Sequence, residues 1–222
     1  MTKSEILKYC DHTVLRTDAP FSEIKENCEL AIQYGCASMC LAPCHVFEAK
    51  KLVGDRLKIC TVVGFPNGYN DTATKVFEAA HLIEEGADEI DVVINIGAAL
   101  SGDYELVERE LKAVRKATEG KILKVIVESC KLPEDTFRRV CGIVSQSGAD
   151  FIKTSTGFAE RGATVEDVEF MRRECAPETQ IKAAGGISNF EDAEAMIKAG
   201  ATRLGTSRLV KLMLKEKGDG GY

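Results

Sequence analysis

Lys153 and Lys182 each interrupt a short apolar run that ends in glycine, serine or threonine, Phe151-Ile-Lys-Thr-Ser-Thr-Gly-Phe158 and Ile181-Lys-Ala-Ala-Gly-Gly-Ile187. Such runs read as buried strands leading into tight loops. A lysine is almost never fully buried without a partner or a purpose. One purpose is nucleophilic, because an amine kept unprotonated attacks a carbonyl and forms a Schiff base. On neighbouring strands about 4.8 Å apart the two amines approach closely. At an effective dielectric of ~20, two charges ~4 Å apart repel by about 4 kcal/mol. Desolvation acts in the same direction, so a large share of one amine is expected to be neutral near neutral pH. Either lysine alone reads as a structural ion pair or a snorkelling surface residue. The pair, each followed by an anion-friendly loop, favours chemistry.

Asp91, in Ile90-Asp-Val-Val-Ile94, is a carboxylate in an apolar run. It is either a general acid/base or the partner of a buried cation. Lys124 holds the matching early position of Leu123-Lys-Val-Ile-Val127, so Asp91 and Lys124 also read as a structural pair. A fixed carboxylate with a tuned pKa can fill both roles. Asp11 and Thr13 complete a polar floor, although Asp11 reads equally well as a turn residue. Ser155-Thr-Gly157, Gly185-Gly186 and Gly205-Thr-Ser207 are backbone cradles for an anion, each with a helix expected behind it. Their residues Thr156, Gly157, Gly185, Gly186, Gly205, Thr206 and Ser207 are candidate substrate contacts, as is Cys40 at a strand end.

The elements that must position these groups alternate regularly. Strand patterns fall at 11–15, 37–41, 59–63, 89–95, 123–127, 150–154, 180–184 and 202–205. Amphipathic stretches separate them. In Thr72–Glu85, capped by Asp71, the residues Ala73, Val76, Phe77, Ala80 and Ile83 recur at three- and four-residue steps and are expected to face the core. Gly35-Cys-Ala, Gly86-Ala-Asp, Gly148-Ala-Asp and Gly200-Ala-Thr each close a helix pattern and open an even-numbered strand. The recurrence suggests four (βα)₂ units, hence an α/β fold, a closed (βα)₈ TIM barrel of one domain over residues 1–216, followed by a mobile tail, 217–222. An open doubly wound sheet uses the same joints, but eight strands in 222 residues lie close to the ~250 of a closed barrel.

Composition narrows the function. The formal charge is −6 with no basic stripe, which argues against nucleic acid, and no run approaches a membrane span. Nine cysteines behind a start with no signal core, Met1-Thr-Lys-Ser-Glu-Ile6, argue for reduced thiols and the cytoplasm. Cys36, Cys40, Cys44 and His45 contain no Cys-x-x-Cys, and a strand followed by a helix start scatters them, so no metal site is expected.

The sequence resembles the deoxyribose-phosphate aldolases over nearly its whole length. The resemblance is carried by Asp11-His-Thr-Val-Leu-Arg16, Val62-Val-Gly-Phe-Pro66, the run from Gly86 to Gly97, and Leu123-Lys-Val-Ile-Val-Glu128. Its most specific parts are the run from Gly148 to Gly157, Ile181-Lys-Ala-Ala-Gly-Gly-Ile187 and Arg203-Leu-Gly-Thr-Ser207. It implies a (βα)₈ barrel that cleaves 2-deoxy-D-ribose 5-phosphate reversibly to acetaldehyde and D-glyceraldehyde 3-phosphate, without metal or other cofactor. It also implies a small phosphosugar as the partner and a homo-oligomer, dimer or tetramer. Lys153 matches the Schiff-base amine and Lys182 the neighbour that lowers its pKa. Asp91, through a bound water, matches the proton relay, and Lys124 matches the relay's charge partner. Tyr222 is similar to a C-terminal tyrosine that assists proton transfer in some members; a disordered terminus is the plain alternative. Ala184 stands where the family usually has serine. Asn67 and Tyr69 replace leucine and alanine, and Leu41-Ala-Pro43 replaces Val-Asn-Pro. Rival readings are a transaldolase-like or ketose-phosphate aldolase, a phosphosugar-binding barrel, and a thiol enzyme using Cys40.

Overall fold

A computed structural model describes residues 1–219 of the chain. Eight parallel strands close into one barrel in sequence order, the last pairing with the first. They are β1 (Cys10–Val14), β2 (Ser38–Leu41), β3 (Ile59–Val63), β4 (Glu89–Val93), β5 (Ile122–Ile126), β6 (Phe151–Lys153), β7 (Gln180–Ala184) and β8 (Arg203–Thr206). Around them lie α1 (Lys3–Leu7), α2 (Phe21–Gln33), α3 (Val46–Val53), α4 (Thr72–Glu84) and α5 (Ile96–Ser101), followed by α6 (Tyr104–Ala117), α7 (Glu134–Gln146), α8 (Val165–Glu174), α9 (Phe190–Lys198) and α10 (Leu209–Asp219). Among the described residues no helix is long and apolar enough to cross a membrane.

The recurring glycine joints behave as the sequence suggests. Gly35, Gly86, Gly148 and Gly200 have φ of 66°, 107°, 80° and 118°, the left-handed region where a side chain is strained. After three of them the next amide turns back five residues, as in Cys36 N to Ala31 O and Ala87 N to Leu82 O, both 2.9 Å. That is the Schellman closure of a helix end. The Gly148 joint differs: Ala149 N donates instead to Ser147 Oγ at 3.2 Å.

The main apolar core lies between the outer face of the barrel and the helices, filled by residues such as Ile90, Val92, Leu111, Val125 and Ile181. The barrel interior is different. A small cluster of Cys40, Cys60 and Val62 packs apart from the main core. Beside it and buried Val93, Ile126 and Phe151, the interior is rich in charge: Asp11, Glu89, Asp91, Lys124, Lys153 and Lys182 are all buried. Barrels of this kind usually fill that space with branched aliphatic side chains.

Two expectations need correction. On α4 the buried residues are Lys75, Ala79 and Leu82, while Phe77 is 72% exposed and Ala73 is exposed too. Lys75 turns inward to meet Glu110 on α6 at 2.8 Å, while Val76 and Ile83 of the expected face stay partly buried against the core. At the other end, α10 runs to Asp219, beyond the residue 216 expected to close the barrel domain. Tyr222 lies outside the described residues.

Candidate active site

Parallel pairing places the charged strand residues side by side. Asp91 is opposite Lys124, Lys153 is opposite Lys182, and Lys182 is opposite Arg203. The alternation of strand side chains sends Glu89 and Asp91 inward while Ile90 and Val92 pack outward. Asp91 is the hub. Its Oδ2 accepts from Lys153 Nζ at 2.8 Å and Lys182 Nζ at 2.7 Å, and its Oδ1 accepts from Lys124 Nζ at 2.8 Å and the Cys60 thiol at 3.2 Å. Lys182 also meets Asp11 Oδ2 at 2.5 Å. Arg203 joins Asp11 at 2.7 Å and Glu89 at 2.8 Å, and Lys124 meets Glu89 at 2.6 Å.

The electrostatics follow from that arrangement. Burial alone raises the Asp91 carboxyl, but Lys124, Lys153 and Lys182 outweigh it and hold it well below the usual carboxylate range. Asp11 is depressed in the same way by Lys182, Lys124 and Arg203. Burial pulls the Lys182 ammonium down, yet Asp11 and Asp91 more than offset this and leave it above an ordinary lysine. Burial, the Cys40 thiol and Asp91 push the Cys60 thiol up, so it stays a neutral donor.

This revises the simple repulsion between Lys153 and Lys182. The two ammonium groups share one carboxylate oxygen, which cancels much of the force between them. What remains is a charge surplus. Lys124, Lys153, Lys182 and Arg203 face three carboxylates, Asp11, Glu89 and Asp91. Removing one proton brings the cluster to neutrality.

Above the cluster, at the ends of β1, β6, β7 and β8, opens a cavity of about 350 Å³. Lys153 lines it, as do Thr13, Thr156, Gly157, Gly185, Gly186, Gly205, Thr206 and Ser207. Asp91, Lys124, Lys182 and Asp11 do not reach its surface; they form a charged layer beneath Lys153. Cys40 does not line it either: it is fully buried against Cys60, Val62, Leu15 and Phe65. Ala184 lines the cavity, and a Cβ on Gly205 would stand 3.0 Å from its methyl. Asn67 donates to the Tyr69 hydroxyl at 2.9 Å on an exposed loop, and neither residue lines the cavity.

Of the three loops read as cradles, those after β7 and β8 lead promptly into α9 and α10. The loop after β6 does not, because α8 begins only at Val165. That loop is held in another way. Glu128, the one non-glycine residue with a left-handed backbone among those described (φ 52°), accepts from Thr156 N at 3.3 Å and from the Thr156 hydroxyl. The sequence reading also passed over Glu89, Arg203 and Cys60. Glu89 was detectable as the residue two before Asp91, on the same strand face.

Two groups of possible metal ligands converge among the described residues, Cys40–Cys60–Asp91 and Asp11–Cys60–Glu89. In each, the carboxylates already bind ammonium or guanidinium groups, and a divalent cation would meet that positive charge. Cys36, Cys44 and His45 belong to neither group.

Residues 5–211 match the family described as DeoC/LacD family aldolase. A deoxyribose-phosphate aldolase of Streptococcus agalactiae is 49% identical over 221 residues, covering 100% of this chain and 99% of that one. The solved structure described as "QR15, an Aldolase" superposes with a TM-score of 0.91 at 38% identity, covering 98% of this chain and 99% of that one. A deoxyribose phosphate aldolase of Aeropyrum pernix, described as tetrameric, gives 0.89 at 31% identity over 97% of this chain and 92% of its own. With the family match spanning almost the whole barrel and close relatives aligning end to end, the chain belongs to the DeoC/LacD family of aldolases.

Proposed function

We propose that the chain cleaves 2-deoxy-D-ribose 5-phosphate reversibly to acetaldehyde and D-glyceraldehyde 3-phosphate through a Schiff base on Lys153. The observation that carries this is placement: of the three lysines on Asp91, Lys153 alone lines the cavity. Asp91 stands 2.8 Å from its nitrogen, within reach of the proton that must leave before attack. Lys153 Nζ adds to the C1 aldehyde of the open-chain sugar, and loss of water gives a protonated imine. That imine is the electron sink. The C3 hydroxyl loses its proton to Asp91 through water, the C2–C3 bond breaks, and the electron pair passes into an enamine. Protonation at C2 and hydrolysis then release acetaldehyde and restore the amine. Lys182 and Lys124 keep Asp91 ionised and fixed, and no metal or other cofactor is required by these steps.

The phosphate lies in the cradles after β7 and β8, where Gly186 and Ser207 offer backbone N–H groups and Gly185 and Gly205 let it approach the backbone, with Thr13, Thr156, Gly157 and Thr206 around the carbon chain. The nine unpaired cysteines fit a reducing cytoplasm. A homo-oligomer, dimer or tetramer, belongs to the same reading, since the Aeropyrum pernix relative is described as tetrameric. Borohydride reduction in the presence of acetaldehyde, followed by peptide mass mapping, tests the chemistry. The adduct is expected on Lys153. An adduct on Lys182, or trapping with dihydroxyacetone phosphate and none with acetaldehyde, would sink the assignment.

A further inference from the structure

Lys153 closes β6, and residues 154–164 connect it to α8. On one side this loop is tied to β7: Thr154 N donates to Lys182 O at 3.1 Å, and Ala184 N donates to Thr154 Oγ1 at 3.1 Å. On the other side it meets residues 127–131. Val127 N donates to Lys153 O at 3.0 Å and Ser129 N to Thr154 O at 2.8 Å, and Lys131 pairs with Glu160. Between these ties, Thr156, Gly157 and Phe158 form one wall of the main cavity. Thr156 and Phe158 also border a second cavity of about 570 Å³, whose lining includes Tyr69, Glu128 and Lys131. The wall is therefore a thin partition between two spaces, and a partition needs its own fastening.

Glu128 supplies that fastening from behind. It is buried, and its carboxylate accepts from Thr156 N at 3.3 Å and from the Thr156 hydroxyl. The hydroxyl oxygen in turn accepts from Phe158 N at 3.1 Å. One carboxylate thus fixes the backbone and side chain of Thr156 and, through it, the amide of Phe158. Hydrogen bonds to a carboxylate are among the strong ones. The backbone of Glu128 sits at φ 52° and ψ 63°, where a side chain is strained. Strained residues persist only where their surroundings over-determine them, and they collect at functional sites. Glycine would adopt that backbone freely, so what glutamate adds at position 128 is its carboxylate.

We propose that Glu128 is a positioning residue for the aldol reaction, whose carboxylate holds Thr156 and Phe158 as the wall that aligns the substrate's carbon chain over Lys153. This rests on the aldolase reading above. Glu128 does not line the main cavity, so acetaldehyde bound to Lys153 is expected to be indifferent to its loss, while the five-carbon sugar is not. Three variants of the full chain test this. Glu128→Gly relieves the backbone and removes the carboxylate, Glu128→Gln keeps one acceptor oxygen, and Thr156→Val removes the hydroxyl alone. Glu128→Gly is expected to lower kcat/KM for 2-deoxyribose 5-phosphate about thirtyfold, through kcat and KM together, and Glu128→Gln about threefold. Borohydride trapping of acetaldehyde on Lys153 is expected to stay within about twofold of wild type, whereas misfolding would lower trapping and turnover alike. Added to Thr156→Val, Glu128→Gln is expected to cost little more, because the two share one interaction. Hydrogen exchange read by mass spectrometry is expected to quicken about tenfold over residues 154–164 in Glu128→Gly and to stay unchanged in the other strands. Unchanged exchange in that loop overturns the proposal. So does trapping that falls in step with turnover, or a loosened loop with wild-type kcat/KM. Should the wild type itself not cleave the sugar, the aldolase reading falls, and loop exchange alone decides whether Glu128 holds the wall.

Discussion

Lys182 and Lys75 are both fully buried, and they sit on either side of the barrel wall. Lys182, inside the barrel, contacts two carboxylates, Asp11 and Asp91, and its ammonium is held above the ordinary lysine range. Lys75, on the helix side, contacts one carboxylate, Glu110, and two carbonyls, Gly68 O at 2.7 Å and Val93 O at 2.8 Å. There burial wins over Glu110, and the ammonium is pulled below its ordinary value. Burial therefore does not by itself create a reactive amine. The lysine that burial favours as a neutral group, Lys75, does not line the cavity at the barrel mouth. The lysine that faces the cavity, Lys153, belongs to a cluster with one cation too many.

The sharpest way to break this comparison is to remove a lysine from each side. Lys153→Met is expected to abolish borohydride trapping and lower turnover by at least ~10⁴-fold, the scale seen when a covalent nucleophile is lost. Lys75→Met, assayed below its unfolding temperature, is expected to stay within about threefold of wild type, as for a substitution outside the reacting groups. Comparable losses in the two variants would mean that burial, not access to the cavity, governs reactivity.

A smaller effect sharpens the electrostatic half of the comparison. Lys182→Leu removes one cation from the cluster, so three carboxylates then face three cations with Lys153 protonated. The surplus that favours loss of a proton is gone. The acid limb of the pH–rate profile is expected to move to higher pH by about 1 unit or more. An unmoved limb would show that Asp91 fully screens Lys182 from the reacting nitrogen.

The comparison also explains what the sequence could reveal. Lys153, Lys182 and Asp91 stand out because a charge inside an apolar strand run has few bland explanations, and the four glycine joints mark the repeated (βα)₂ unit. Glu89 and Arg203 are less visible, since each stands at the start of its strand pattern with no apolar run before it to mark the charge. Asp91 screens the repulsion between Lys153 and Lys182 from 62 and 91 residues away along the chain, and a pattern along the chain does not measure distance across a barrel. Helix α4 was misread for a related reason. Its apolar face was chosen by residue type, but Lys75 packs its alkyl chain beneath Gly64, where an added Cβ would stand 2.8 Å from Lys75 Cε. Once Glu110 is there to receive the ammonium, a lysine with that stem fits the interior better than Phe77.

Stability provides the next test. In Lys75→Met, Glu110 is left buried without its cation, and truncating one partner of such a pair costs about 3 kcal/mol or more. Urea unfolding at pH 8 is expected to record that loss. The double variant Lys75→Met/Glu110→Leu is expected to recover much of it, because two apolar side chains need no partner. A double variant no more stable than the single one would mean that the bonds from Lys75 to Gly68 O and Val93 O, rather than the ion pair, are what the site supplies.

The subtlest expected effect is a difference in sign. Burial raises the Glu110 carboxyl above the 4.5 of a free glutamate, with Lys75 only partly opposing it. A group raised on folding contributes stability that is full below its unfolded value and is lost as pH rises through the folded one. Asp91 and Asp11 are depressed below 3.8, so they contribute stability above that value and lose it as pH falls through their folded values. The two sites must therefore push the pH–stability curve in opposite directions across the acid range. Relative to Glu110→Gln, the wild type is expected to lose stability as pH climbs from about 4.5 toward neutrality, whereas relative to Asp91→Asn it is expected to gain stability as pH climbs through the acid range. Urea midpoints of the three proteins at matched pH values measure both slopes. Parallel slopes would mean that Glu110 is held ionised as firmly as Asp91, and that one carboxylate with two carbonyls stabilises a buried ammonium as well as the three-carboxylate cluster does.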